Sequence, residues 1–251
     1  MTVPDRRAIT RAGAPRPLSL RDRQVVELVG RFRLMTAEQI RLVVFGGLAS
    51  KTPLDRALAR LTADGYLARL ARFVGGFGGG SGQYVYQLGR AGWRLTGRGG
   101  GFRPLRVVDV HTLTITECYV QLAALEQAGR LAVVGFTPEP ASHVTVAGVP
   151  LTPDAYVELG EPVRRLKYRY WLEIDRDTEN ADTLRGKCVR YWKAYKAWTD
   201  DVFPYVVFVV PDERRRREIE RVIAGGPAEA QALFQVYPLE TLAEVIHRNM
   251  Q

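Results

Sequence analysis

The run Tyr205-Val206-Val207-Phe208-Val209-Val210 constrains this chain more than any other stretch. Successive side chains on a strand point to opposite faces, so a run with no polar partner must be buried on both. Only the interior of a sheet covered by helices on two sides offers that environment. The flanking sequence supplies the layers. Residues 111–128 read as a helix, with Leu113, Tyr119, Val120, Leu122, Ala123 and Leu125 facing inward, Gly129 as its stop and Glu117 on it as an outer acidic group. Residues 131–136, 151–159 and 168–175 read as strands, with 137–147 as loop or weak strand. Residues 178–198 form a long helix whose stripe Leu184, Cys188, Tyr191, Tyr195, Trp198 steps by four and three. After the apolar run come a charged helix over 212–224, holding Arg214 to Arg217, and a short strand and last helix within 233–250. The expected order is therefore helix, three strands, helix, strand.

The first half has a different texture. Residues 1–17 carry Arg6, Arg7, Arg11 and Arg16 among prolines without periodicity and read as a basic, disordered arm. Three short helices follow. Ser19 is the expected cap of the first, whose stripe is Val25, Val26, Leu28, Val29 and Phe32. Thr36-Ala37-Glu38-Gln39 is a capping box opening the second. Ser50 or Thr52, with Pro53 in the first turn, opens a third, with Leu54, Leu58 and Leu61 on one face and Asp55, Arg56 and Arg60 opposite. Two strand patterns, 66–74 and 83–88, then flank a glycine-rich loop over 75–82. Three helices and a hairpin make a winged helix-turn-helix. In that geometry Lys51, Arg56 and Arg60 approach the major groove of double-stranded DNA, while Arg69, Arg72 and the wing meet backbone or minor groove. The glycine run is no phosphate-binding loop, because no helix opens directly after it and no Lys-Ser/Thr ends it.

Charge separates the halves. The formal net charge is +9, but residues 1–104 hold 18 Lys/Arg against 6 Asp/Glu, whereas residues 105–251 hold 18 against 21. The basic excess belongs to one segment, as expected of a part that meets a polyanion. The expected organisation is a basic arm over 1–17, a winged-helix DNA-binding domain over 18–104 and an α/β domain over 105–251. Two cysteines, Cys118 and Cys188, argue neither for a disulfide framework nor for a thiolate metal site. No apolar run reaches the ~18 residues that a membrane span needs, and the N-terminus lacks the apolar segment of a signal peptide. A cytoplasmic protein without a membrane partner is expected. No heptad pattern marks a seam, and a homodimer stays open.

The residues with chemistry lie in the second half. Pro153-Asp154 falls on one expected strand, Glu173-Ile174-Asp175 at the end of the next, and Lys187 on the helix that follows. Alternation puts Glu173 and Asp175 on the face of Trp171, and Asp154 on that of Tyr156 and Glu158. If the two faces coincide, three carboxylates converge, and their repulsion calls for a divalent cation, Mg²⁺ or Mn²⁺. The element order and the Pro-Asp…Glu pair resemble the PD-(D/E)XK nuclease-like fold, an α/β (α+β) mixed sheet flanked by helices. The usual motif continues Glu-x-Lys. Here Asp175 stands at the lysine position, and Lys187 is the candidate substitute, supplying positive charge from the packing helix. Asp154, Glu173 and Asp175 are the candidate metal ligands, and with Lys187 the candidate catalytic set. His111 and His143 receive no role.

In their order along the chain, several segments resemble the replication-relaxation family of bacterial plasmids and mobile elements. They are Leu34-Met35-Thr36-Ala37-Glu38-Gln39-Ile40, Asp64-Gly65-Tyr66-Leu67, Tyr86-Gln87-Leu88-Gly89-Arg90-Ala91-Gly92, His111-Thr112-Leu113, Pro153-Asp154-Ala155-Tyr156, and Glu173-Ile174-Asp175-Arg176 with Lys187 and Tyr191. The resemblance spans roughly residues 18 to 210. It implies a DNA-binding protein acting in replication, relaxation or mobilisation of plasmid-like DNA. Two alternatives accompany it: an active metal-dependent endonuclease or nickase, and a transcriptional regulator with an inert nuclease-like domain.

Overall fold

The computed structural model describes residues 17–73, 82–97, 99–200 and 202–251, without the side chains of residues 71–73. The expected arm, Pro17 apart, and the tip of the expected wing lie outside the described residues. The first half runs α1 (Leu20–Phe32), β1 (Met35–Thr36), α2 (Ala37–Val44), α3 (Thr52–Ala63), β2 (Leu67–Phe73) and β3 (Gln83–Leu88), closed by α4 (Arg90–Leu95). The three strands form an antiparallel sheet in the order β1-β3-β2, giving the winged helix-turn-helix arrangement. Two expected caps are present. Ser19 accepts from the Asp22 amide, and Thr36 and Gln39 satisfy each other's backbone amides in a capping box. The start of α3 differs from expectation: Lys51 is already helical in φ and ψ and offers no side-chain cap, while the Ser50 hydroxyl accepts from the Thr52 amide at 3.2 Å. The chain enters this helix already turned, so no extended residue is left to present a hydroxyl to the first free amides.

The second half runs α5 (Val110–Gln127), β4 (Ala132–Pro138), β5 (Val144–Val146), β6 (Val149–Leu151), β7 (Ala155–Glu161), β8 (Leu166–Ile174), α6 (Ala181–Lys196), β9 (Tyr205–Val210), α7 (Glu213–Ala224), α8 (Ala228–Gln231), β10 (Phe234–Pro238) and α9 (Leu242–Met250). Its five-stranded mixed sheet has the order β10-β9-β8-β7-β4. β4, β7 and β8 pair antiparallel, whereas β9 and β10 run parallel to β8. The apolar run is β9, and both its faces are covered. Val207 and Val209 join the core that includes α5 and α9, and Val206, Phe208 and Val210 join the core under α6 and α7.

Three expectations are refined here. The strand expected over 151–159 is split, with β6 ending at Leu151 and β7 starting at Ala155. Pro153 has no N–H to give a ladder, so the chain bends there and Asp154 sits just ahead of β7. The segment expected as loop or weak strand holds a short strand, β5, which forms a two-stranded hairpin with β6. The long helix is also shorter than its expected span, starting after Asn180, whose side chain caps the Thr183 amide. On its stripe Tyr195 is exposed and Ala194 takes the buried place.

The two halves share apolar packing. The Phe32 ring of α1 lies 4.6 Å from that of Tyr119 and 5.6 Å from that of Phe136, centroid to centroid. The Thr116 hydroxyl donates to the Leu34 carbonyl at 3.0 Å. Gln39 donates to the Leu113 carbonyl and to Glu117, which therefore ties α5 to α2. No helix among the described residues is long and apolar enough to cross a membrane.

Candidate active site

The bend at Pro153 brings Asp154 alongside Glu173. The Asp154 amide donates to the Leu172 carbonyl at 2.9 Å, continuing the β7–β8 ladder by one residue. The Ile174 amide then donates to Asp154 Oδ2 at 2.6 Å, which fixes the carboxylate against the neighbouring strand. Asp154 is 8% and Glu173 3% exposed. Carboxylates this buried need partners.

Glu173 finds its partners on α6. Tyr191 donates its hydroxyl to Oε1, and the Lys187 ammonium lies 2.8 Å from Oε2. Lys187 and Tyr191 are four residues apart, so both reach over the same turn toward the sheet. The ammonium also lies 2.8 Å from Glu179 Oε1. Burial works against the lysine charge, but Glu173 and Glu179 outweigh it and hold the pKa above its ordinary value. Burial pushes Glu173 up, opposed by Lys187 and reinforced by Asp154. A lysine shared between two carboxylates stays protonated. Burial and the negative charge of Glu173 raise Tyr191 well above the usual phenol range, which keeps its proton in place as a donor.

Asp175, expected among these groups, has its carboxylate taken by an arginine. It lies just past β8, its amide on the Val209 carbonyl, and its carboxylate is clamped by Arg215 of α7 through Nε at 2.8 Å and Nη2 at 2.7 Å. Arg215 also donates to the Glu179 carbonyl. The structure thus brings together Asp154, Glu173 and Lys187, and pairs Asp175 with Arg215.

Two residues without an expected role stand at the site. His111 Nε2 lies 3.0 Å from Asp154 Oδ1, and the hydrogen bond to Asp154 holds the imidazole above its ordinary 6.5 against the effect of burial. His111, Glu139 and Asp154 each offer a ligand atom, and these atoms lie within 4.8 Å of one another. The signal for His111 was its segment, His111-Thr112-Leu113; nothing in the local sequence of Glu139 pointed to it.

On the winged helix, Lys51 just ahead of α3 and Arg56 on it are exposed, with the Lys51 amine 4.0 Å from Glu38. Arg60 is bound through Nη2 to both carboxylate oxygens of the buried Asp22, at 2.7 and 2.9 Å. The Arg69 guanidinium stacks over the Tyr84 ring at 4.1 Å. Arg72 pairs in the strand with Tyr84, its side chain lying outside what is described.

A winged helix-turn-helix packed on a mixed, helix-flanked sheet, with two buried carboxylates and a lysine at adjoining strand ends, defines a helix-turn-helix α/β protein with a charged strand-end site. The chain belongs to the replication-relaxation family, whose family model matches residues 26–206, well over half of its length. No curated protein and no solved structure matches it.

Proposed function

We propose that this protein docks on double-stranded DNA of a plasmid or mobile element through its winged helix and nicks it at the strand-end site of its second half. One observation carries the reading: the Lys187 ammonium stands 2.8 Å from Glu173, so the helix supplies the amine that position 175 lacks. Lys51 at the start of α3 and Arg56 on it, with Arg60, Arg69 and Arg72, are the candidate phosphate and groove contacts. Lys51 and Arg56 carry most weight, because Arg60 is partly spent on Asp22. The two regions of unlike charge then have separate tasks, one holding the polyanion and the other acting on it.

The donor set suits a divalent metal ion. Asp154 and Glu173 offer hard oxygen ligands, and Asp154 has no lysine or arginine partner among the described residues. Such an ion, when bound, polarises a phosphate and lowers the pKa of a water. Lys187 places positive charge beside the pair, where phosphodiester cleavage builds negative charge. Tyr191 holds the Glu173 carboxylate toward that amine.

A second reading, a regulator with an inert domain, is favoured by the clamp of Arg215 on Asp175, which fills the usual lysine position with a satisfied ion pair. One assay separates them. Supercoiled plasmid incubated with the protein and Mg²⁺ or Mn²⁺ is expected to become open circles, and Asp154→Ala, Glu173→Ala or Lys187→Ala to abolish this. Equal nicking by parent and variants, or none by any, removes the enzyme reading. For docking, Lys51→Ala with Arg56→Ala is expected to weaken duplex binding and to lower the slope of log K against log[salt] by roughly one to two units; an unchanged slope removes α3 as the contact surface.

A further inference from the structure

We propose that His111, Glu139 and Asp154 form a cation site that takes Mn²⁺ in preference to Mg²⁺. The three residues come from the first turn of α5, the residue after β4 and the bend before β7, and their ligand atoms lie within 4.8 Å of one another. The bend is tied down from several sides. The Glu139 amide donates to the Asp154 carbonyl at 2.8 Å, and the Ser142 hydroxyl to the Pro153 carbonyl at 2.5 Å. Asp109 caps α5 by accepting from the His111 amide at 3.0 Å.

An independent observation concerns charge. Among the described residues the other buried carboxylates each have a strong cation: Asp22 has Arg60, Glu173 has Lys187 and Asp175 has Arg215, all within 2.8 Å. Asp154, also buried, has only the imidazole of His111 as a cationic partner, and Glu139 has only that of His143 at 3.9 Å. Two carboxylates side by side without a fixed cation are costly at neutral pH, and a divalent ion removes the cost.

The choice of ion follows from the ligands. Mg²⁺ favours oxygen and retains its waters. Imidazole binds later first-row ions more strongly, and two carboxylates keep the site hard enough for Mn²⁺. The site shares Asp154 with the nicking reading and rests on it only for what the ion would do to DNA.

The test is a titration of the metal-stripped full chain, without DNA, followed by the electron paramagnetic resonance of free Mn²⁺. One bound ion is expected, displaced by Mg²⁺ only at an excess of ~10-fold or more. His111→Ala, His111→Asn and Glu139→Gln are each expected to weaken Mn²⁺ by ~10-fold or more, and Asp175→Asn to leave it unchanged. No bound ion in the parent overturns the proposal. So does Mn²⁺ binding that survives all three substitutions, or that is lost instead in Glu173→Gln. Plasmid left intact while Mn²⁺ binds through the trio removes the nicking reading alone; nicking that persists in His111→Asn and Glu139→Gln with unchanged Mn²⁺ affinity removes this one alone.

Discussion

Lys187 is the residue on which the site turns, and its removal has a calculable signature. Lys187→Met leaves Glu173 buried with only the Tyr191 hydroxyl as donor, and breaking such a pair costs about 3–5 kcal/mol. The cost depends on pH. Glu173 already has a folded-state pKa raised above 4.5, and losing the lysine raises it further. A carboxyl with a raised folded pKa binds its proton more tightly folded than unfolded, so stability falls as pH climbs from about 4.5 through the folded value. Urea unfolding in EDTA is therefore expected to show a larger loss for Lys187→Met at pH 8 than at pH 5, with much of it restored by adding Glu173→Gln. At this scale the sequence was partly legible. Asp154, Glu173 and Lys187 could be placed near one another from the sequence because strand alternation and helical spacing are local rules. Asp175 shares its strand register with Glu173, but its fate is set by Arg215, forty residues away and readable only as one basic residue in a run of four. The Asp154–His111 contact likewise depends on where the first turn of α5 meets the sheet.

Among the elements, two of the segments that carried the family resemblance prove to be backbone devices. Gly65 ends α3 with φ +72°, and a Cβ at Gly89 would collide with the Gly65 carbonyl. A Cβ at Gly92 would collide with the carbonyl of Tyr66. The hairpin thus returns onto the end of α3 through glycine-to-backbone contact, which holds the wing's base against the helix. Gly89→Ala is expected to destabilise by ~2 kcal/mol or more, whereas Gly47→Ala, where a Cβ meets nothing, should be nearly neutral in thermal unfolding. Thr36→Ala, which removes half the capping box, should cost ~1 kcal/mol by the same measurement. Caps and strands were legible here because their rules are short-range. The hairpin β5–β6 was legible only as loop or weak strand, since two segments of three residues, one of them holding Pro150, carry too little pattern to separate the two.

Over the whole molecule, the charge division and the packing run in opposite senses: the halves differ in net charge, yet Phe32 of the first is seated between Tyr119 and Phe136 of the second. Phe32→Ala is expected to cost about 3–5 kcal/mol and to shift the melting of both halves together, seen as one transition whether followed by far-ultraviolet circular dichroism or by tryptophan fluorescence. Two separate transitions would show that the shared packing is energetically minor. The layered order of the second half was legible because one strand without polar residues demands helices on both faces. The contact between halves was not, because it joins surfaces with no common periodicity. Placing the amine on α6 has a last consequence. A lysine two residues from the glutamate on one strand would be fixed by the covalent chain, whereas Lys187 stands where the seating of a helix puts it. A slip of α6 by one residue, about 1.5 Å, would carry the ammonium out of contact with Glu173 while leaving the sheet intact. Whatever presses on the outer face of that helix therefore holds the means to switch the site off without unfolding anything.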